Sequence, residues 1–352
     1  MPRYPLAFIF AFLTSYFLTP LVKKIATRTG AMDIPDSAGE GRRVHIRPTP
    51  RLGGLAIYLG FMLPALTLLP REGERLFGLL LGATLILLLG IADDYGNLSP
   101  RVKLAGQVLA ALVFIYMGNR VVWLSNPWAD GPHNAMWYIG IWSVPLTLLW
   151  VVGITNTLNL IDGLDGLAAG VTAIASVTLL LVALQEGQAN IVFLTAALAG
   201  STLGFLPYNF NPAQIFMGDT GSLFLGFVLA AIAVQGALKS ATVIALAVPI
   251  LALGLPILDT FLAIVRRFRN GSPIFQADRQ HLHHRLLERG LSHRQAVLFL
   301  YSVSGVFGMG ALAITEARGR FGLFGLAFAV LAFILNLRRL RQLDMRGKDL
   351  EG

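Results

Sequence analysis

Apolar run follows apolar run along this chain, each close to the length of a membrane crossing, and that repetition limits its fold more than any single motif does. The runs fall at 5–22, 52–70, 76–92, 104–118, 136–155, 167–185, 189–206, 221–236, 241–262, 296–314 and 321–337. Roughly 20 apolar residues carry a helix across the hydrocarbon core, where every backbone N–H and C=O must be satisfied within the protein. The pattern predicts an all-α, polytopic transmembrane protein of about 11 spans, a single integral membrane domain over 1–352. Runs 104–118 and 221–236 are short for the task, so those helices are expected to begin inside the polar motifs ahead of them. Hydrophobic residues make up 55% of the chain and charged residues 13%, which excludes an ordinary soluble helical domain. The run from Pro5 is followed by Lys23-Lys24 rather than by a small-residue cleavage site, and reads as a retained first helix. The lack of cysteine excludes disulfides and thiolate metal sites.

The net charge of +9 is a matter of topology rather than of nucleic acid, and no nucleic-acid partner is expected. If the connections are placed alternately on two sides, 21 of the 28 Lys and Arg fall on one side and 7 on the other. The positive-inside rule then puts the amino terminus outside and the carboxyl terminus in the cytoplasm, which needs an odd number of spans. The cytoplasmic connections, about 23–51, 93–103, 156–166, 207–220 and 266–295, also hold nearly all the reactive side chains. The outer connection 119–135 is the longer one on its side, and its Trp123 and Trp128 read as interfacial anchors. Pro145, Pro249 and Pro256 fall within apolar runs and are expected to kink them, either opening a cleft or serving packing. The 37 glycines suit close helix contacts in lipid.

Three acidic clusters stand out against this apolar background, where ionisable groups are costly unless they line a wet cavity or bind something. Asp93-Asp94 closes the third run, and Ser99-Pro100 ahead of Lys103 has the form of a helix cap and first position. Adjacent carboxylates point in different directions from a helix, so one can approach a ligand while the other orients it. Asn156, Asn159, Asp162 and Asp165 recur every three residues, which predicts a polar stripe along one face if the segment is helical. Asp219, in Met217-Gly218-Asp219-Thr220-Gly221-Ser222, precedes another apolar helix and could cap it. A structural polar network accounts for the asparagines but not for carboxylates without a nearby cation. Oxygen donors with no cysteine and few histidines point to Mg²⁺ or Mn²⁺ rather than a structural zinc. The basic connection carrying Arg266, Arg267, Arg269, Arg279, His281, His283, His284 and Arg285 suits bound anions, since arginine grips phosphate bidentately. Carboxylates for a divalent cation and cations for phosphates are the two halves of a phosphoryl-transfer site.

Asp93-Asp94, the stretch Asn159 to Ala168, Phe216 to Ser222, and His281-Leu282-His283-His284 together resemble the polyprenyl-phosphate N-acetylhexosamine-1-phosphate transferase family, in its order. The resemblance spans residues from about 45 to 285. It is nearest the WecA/TagO-like branch, undecaprenyl-phosphate GlcNAc-1-phosphate transferases, for which 11 spans are expected. The first basic loop, His45-Ile46-Arg47-Pro48-Thr49-Pro50-Arg51-Leu52-Gly53-Gly54, is similar to that branch and not to the Thr-Met-Gly-Gly ending of the peptidoglycan-precursor branch.

The resemblance implies a Mg-dependent phosphoglycosyl transferase of the inner membrane with its active site on the cytoplasmic side. It would take UDP-GlcNAc and undecaprenyl phosphate and release UMP, starting a lipid-linked envelope glycan such as lipopolysaccharide or teichoic acid. Asp219 would be the principal metal ligand, with Asp93 or Asp94 assisting the lipid phosphate, as the base that deprotonates it or as an orienter, or joining the metal. Asp162 and His281 complete the expected catalytic set. Asn156, Asn159 and Asp165 would line the nucleotide pocket, Phe216 would stack on uracil and Asn209 would contact the nucleotide. His45, Arg51, Arg279, His283 and His284 would hold the diphosphate or sugar. The same chemistry on another UDP-N-acetylhexosamine or UDP-MurNAc-pentapeptide is one alternative, and a cation-coupled transporter is another. A homodimer is compatible with the sequence.

Overall fold

The computed structural model describes residues 3–34, 48–69, 73–125, 136–239, 244–269 and 282–315. The run 321–337 and the site candidates His45, Arg279 and His281 lie outside these residues. The chain is mostly helical: α1 (Tyr4–Thr29), α2 (Gly54–Thr67), α3 (Gly73–Gly96), α4 (Pro100–Tyr116), α5 (Ser143–Ile161), α6 (Leu167–Gln185), α7 (Ala189–Asn209), α8 (Gly218–Lys239), α9 (Ile244–Ala252), α10 (Gly254–Arg269), α11 (Leu282–Glu288) and α12 (His293–Thr315). Two short antiparallel ribbons interrupt them, β1 (Met32–Asp33) with β2 (Thr49–Pro50), and β3 (Trp123–Ser125) with β4 (Met136–Tyr138). Among the described residues seven helical stretches are long and apolar enough to cross a membrane, so the protein is a multi-pass membrane protein.

α8 is the inner helix. Leu223, Phe224, Leu225, Phe227, Val228, Leu229, Ala230, Ala231 and Ile232 are all sealed from the surface, and α2, α3 and α5 pack around it. A helix apolar on every face belongs in such a position. α7 is the second buried helix, held between α1 and α6. Its Gly200 and Gly204 lie against the carbonyls of Phe8 and Phe12 on α1, where any side chain would collide, so small residues four apart set that contact.

α4 starts at Pro100 and α8 at Gly218, inside their polar motifs as the short runs require. The prolines behave differently from one another. Pro145 sits in the first turn of α5, where an N–H has no intrahelical partner, so it starts the helix and does not kink it. Pro256 does interrupt: it has no N–H to give Ala252, and the run 241–262 divides at Leu253 into α9 and α10.

Candidate functional site: a lysine between two carboxylates at the start of α8

The first turn of α8 has free backbone N–H groups, and a neighbouring helix supplies their acceptor. Asp94, in the last turn of α3, accepts from the Asp219 N–H at 3.0 Å and from the Thr220 N–H and hydroxyl at 3.0 and 2.6 Å. Gly90, one turn earlier on α3, lets the Thr220 backbone come against it. Asp94 thus caps α8 from another helix. Asp219 is in the capped turn rather than capping it.

The Asp219 side chain leaves this turn on the open side. Its Oδ1 accepts from Asn159 Nδ2 at 3.1 Å and its Oδ2 from Lys103 Nζ at 2.6 Å. Lys103 Nζ is also 2.6 Å from Asp93 Oδ2, so one ammonium bridges two carboxylates contributed by α3 and α8. Asp93 Oδ1 accepts from the Leu98 N–H at 2.7 Å, which fixes that carboxylate to the loop ahead of α4. One turn along α4 from Lys103, Gln107 pairs amide to amide with Asn156 on α5. Gln107 on α4 thus meets Asn156 on α5 directly, while Lys103 and Asn159, one turn along each helix, meet through the Asp219 carboxylate between them. Ser99 occupies the cap position of α4 without a side-chain cap bond, and Pro100 is its first residue.

α5 ends at Ile161, so the expected stripe stops after Asn156 and Asn159, and Asp162 and Asp165 lie in a turn beyond it. That turn parts their directions. Asp165 Oδ2 accepts from Asn211 Nδ2 and the Ala213 N–H at 2.9 and 3.0 Å, and its own N–H donates to His293 Nε2 at 2.9 Å. Asn209 accepts from the Gly166 N–H and donates to the Ile215 carbonyl, buried at 2% exposure. Both residues hold the turn to the loop after α7.

Asp162 is left facing the carboxylates. Its surface is partly open, yet no hydrogen-bond donor or cation among the described residues meets its side chain. Burial in protein, then the charges of Asp219, Asp94 and Asp165, push its carboxyl well above the usual carboxylate range. Of these four carboxylates Lys103 meets two, Asp93 and Asp219, while Asp94 is held by the α8 turn and Asp162 meets no cation among the described residues. Among the described residues no three acidic or histidine side chains already close on one point as a metal site would. The all-oxygen donor set and the unmatched carboxylate nonetheless fit a hard divalent cation.

Two further pieces border the cluster. The segment after β2 runs beside residues 216–217: Phe216 N–H donates to the Pro50 carbonyl at 2.8 Å, and Gly53 and Gly54 donate to the Phe216 and Met217 carbonyls at 2.9 Å each. This seats half-buried Phe216 beside Arg51, whose guanidinium donates to the Asp94 carbonyl at the end of α3. On the other side, His283 on α11 is buried against Gly163, where the lack of a side chain leaves room for its ring, and the ring lies tilted by 42° against that of His284 with centroids 4.2 Å apart. The Leu282 N–H donates to Asp259 Oδ1 at 2.9 Å, fastening α11 to α10.

Lys103 was legible from sequence only as a topological charge. Its signal was a cation in the first turn of an apolar helix, ten residues after Asp93. Gln107 and His293 gave none, since each acts through a partner distant in the chain.

Residues 76–237, from α3 to α8, match the family described as Glycosyl transferase family 4. The chain is 42% identical over 334 residues to the probable undecaprenyl-phosphate N-acetylglucosaminyl 1-phosphate transferase of Bacillus subtilis, covering 95% of this chain and 91% of that protein. It is 39% identical over 328 residues to the decaprenyl-phosphate N-acetylglucosaminephosphotransferase of Mycolicibacterium smegmatis, with 86% and 79% covered. It is 35% identical over 293 residues to the phospho-N-acetylmuramoyl-pentapeptide-transferase of Moorella thermoacetica, with 78% and 87% covered. The matched stretch contains Asp93, Asp94, Lys103, Asn159, Asp162 and Asp219, and excludes Arg51 and His283.

Proposed function

The chain belongs to glycosyl transferase family 4, and from that membership we propose that it transfers N-acetylglucosamine 1-phosphate from UDP-GlcNAc to undecaprenyl phosphate, releasing UMP. The observation that carries this reading is the Asp93–Lys103–Asp219 bridge with Asn159 and Asp162 beside it, held at the ends of membrane helices. A phosphate oxygen of the lipid attacks the sugar-bearing phosphorus of the nucleotide, and the bond to the UMP oxygen breaks. The sugar phosphate becomes a lipid-linked diphosphate. The second ionisation of a phosphate monoester lies near a pKa of about 6, so at neutral pH the acceptor needs little help from a base. Asp93 then serves position and charge rather than deprotonation, and direct transfer is preferred to an aspartyl intermediate.

Mg²⁺ or Mn²⁺ bound by Asp219, with Asp162 and Asp93 as further oxygen donors, would neutralise the phosphates drawn together there. Asp94 is engaged in the α8 cap, which supports a positioning role for it. Asn159 orients the Asp219 carboxylate, and Lys103 offers a fixed cation where charge develops. Phe216 and Arg51 form a wall suited to a base and a phosphate, and His283 with His284 forms the other. About 11 spans, the amino terminus outside, the cluster at the cytoplasmic face of the inner membrane and a product destined for an envelope glycan complete the proposal. Identity to the Bacillus subtilis protein above that to the Moorella thermoacetica protein favours GlcNAc over a muramoyl pentapeptide. Transferase relatives along most of the chain speak against a transporter.

The test is to give purified protein radiolabelled UDP-GlcNAc or UDP-MurNAc-pentapeptide with undecaprenyl phosphate and Mg²⁺. Lipid-linked product from the first alone is expected. Product from the second alone would move the chain to the other branch, and none from either would remove the proposal.

A further inference from the structure

All five tryptophans of the chain lie between residues 123 and 150, and three of them sit exposed around the β3–β4 ribbon. Trp123 pairs across the ribbon with Tyr138, their rings 5.0 Å apart, and Leu124 pairs with Trp137. The Ile139 N–H donates to the Val122 carbonyl at 3.0 Å and continues the ladder towards its root. At the root, the Val121 N–H donates to Thr147 Oγ1 at 2.9 Å, and Thr147 is sealed inside the first turns of α5. The ribbon is thus a built extension of α4 and α5. It nevertheless displays Trp123, Trp137 and Tyr138, and the turn after it displays Ile141 at 86% and Trp142 at 63% exposure. No described residue from Val121 to Trp142 is charged. Such a surface would be an aggregation liability in water.

Position along the helices says what covers it. The ribbon leads straight into the apolar stretch Gly140–Ile161, which is long enough to span a bilayer. Trp142 and Asn159 are separated along α5 by about 26 Å at roughly 1.5 Å per residue. That is close to the thickness of the hydrocarbon core, about 30 Å. The aromatic collar and the carboxylate cluster therefore fall at opposite faces of one membrane. Tryptophan and tyrosine, with an apolar body and a polar N–H or O–H, are the side chains suited to the headgroup boundary.

We propose that the β3–β4 ribbon and the turn Gly140–Trp142 are a lipid-docking surface, seated in the headgroup and glycerol region of the leaflet opposite the catalytic cluster. Docking there sets the depth of α4 and α5, which carry Lys103, Gln107, Asn156 and Asn159 at their other ends. The inference needs only that the chain spans a bilayer, so it stands or falls apart from the transferase reading.

The tryptophans themselves report the answer. Full-length protein and a Trp150→Phe variant, which leaves only Trp123, Trp128, Trp137 and Trp142, are reconstituted in phosphatidylcholine vesicles carrying bromines either near the glycerol end or near the chain terminus. Greater loss of emission to the shallow bromines than to the deep ones is expected in both proteins, and more so in the variant. Equal or greater loss to the deep bromines would overturn the proposal by placing the ribbon in hydrocarbon. Quenching by aqueous acrylamide but by neither lipid would overturn it by placing the ribbon in water. Resistance to all three quenchers would overturn it in favour of a protein cover such as a second copy of the chain.

Discussion

The three helices α3, α4 and α8 bury polar groups at both of their ends, and the two ends are built on opposite principles. At one end, Asn119 donates to the carbonyls of Arg75 and Phe114, while Gln235 donates to the Arg75 carbonyl and to Asn119 Oδ1. These groups are neutral amides engaged in mutual hydrogen bonds. At the other end two carboxylates, Asp93 and Asp219, meet one ammonium, Asp94 is turned to the α8 backbone, and Asp162 has no donor or cation among the described residues. Neutral, satisfied amides suffice to pin helix ends together at modest cost. An uncompensated cluster of charge destabilises the protein on its own, so its explanation lies in what it binds. The lesson is that polarity within a membrane bundle does not mark a site, whereas unbalanced charge does.

Asp219→Asn strikes that contrast hardest, because it removes the carboxylate on which Lys103 and Asn159 converge. Turnover should fall by about 10³-fold, the scale of losing a principal electrostatic contact, while thermal melting in detergent shifts little. UMP release at near wild-type kcat would detach Asp219 from catalysis. Asp162→Asn should lower turnover by roughly 10²-fold but raise the melting temperature of the metal-free protein. Folding raises the Asp162 pKa, so its contribution to stability is present below the usual carboxylate range and is lost as pH rises through the raised value. Metal-free wild type should therefore lose stability over that rise, and the variant should not. Parallel melting curves for the two proteins across pH would show that Asp162 carries no such strain.

Lys103→Met ranks next, with turnover lower by roughly 10- to 100-fold as Asp93 and Asp219 lose their shared cation. The Mg²⁺ concentration for half-maximal rate should change as well. An unaltered Mg²⁺ dependence together with unaltered kcat would reduce Lys103 to a surface charge.

How far these roles could be read in advance depends on how local they are. The membrane helices were legible because the hydrophobic pattern alone sets them, and α6 occupies the same residues as its apolar run, 167–185. The acidic turns were legible as chemistry because carboxylates are rare among apolar runs. Their division of labour was not, because it is decided across helices. Asp93 and Asp94 are neighbours in sequence, yet one turns to Lys103 and the other to the backbone of α8, 125 residues away. The stripe through Asp162 and Asp165 failed for a local reason, since α5 ends at Ile161 and the following turn sends the two side chains apart.

Asp94→Ala tests that division at the scale of stability. Losing three hydrogen bonds at the α8 cap should cost about 2 kcal/mol, seen as a lower melting temperature. Asp94→Asn, which keeps one acceptor oxygen, should recover part of it. A full loss of turnover in Asp94→Asn without any change in melting would place Asp94 among the reacting groups instead.

Gln235→Leu should have the smallest effect and is the most direct check on the neutral end. Gln235 supplies donors to the Arg75 carbonyl and to Asn119, and hydrogen bonds between membrane helices are worth about 0.6 kcal/mol each. The variant should melt slightly lower, by about 1 kcal/mol, and turn over substrate within roughly twofold of wild type. Gln235 carries no charge and lies about 24 Å along α8 from Asp219, so no direct interaction links them. A tenfold fall in kcat with melting unchanged would mean that the two ends move together, and the separation between a structural end and a chemical end would have to be abandoned.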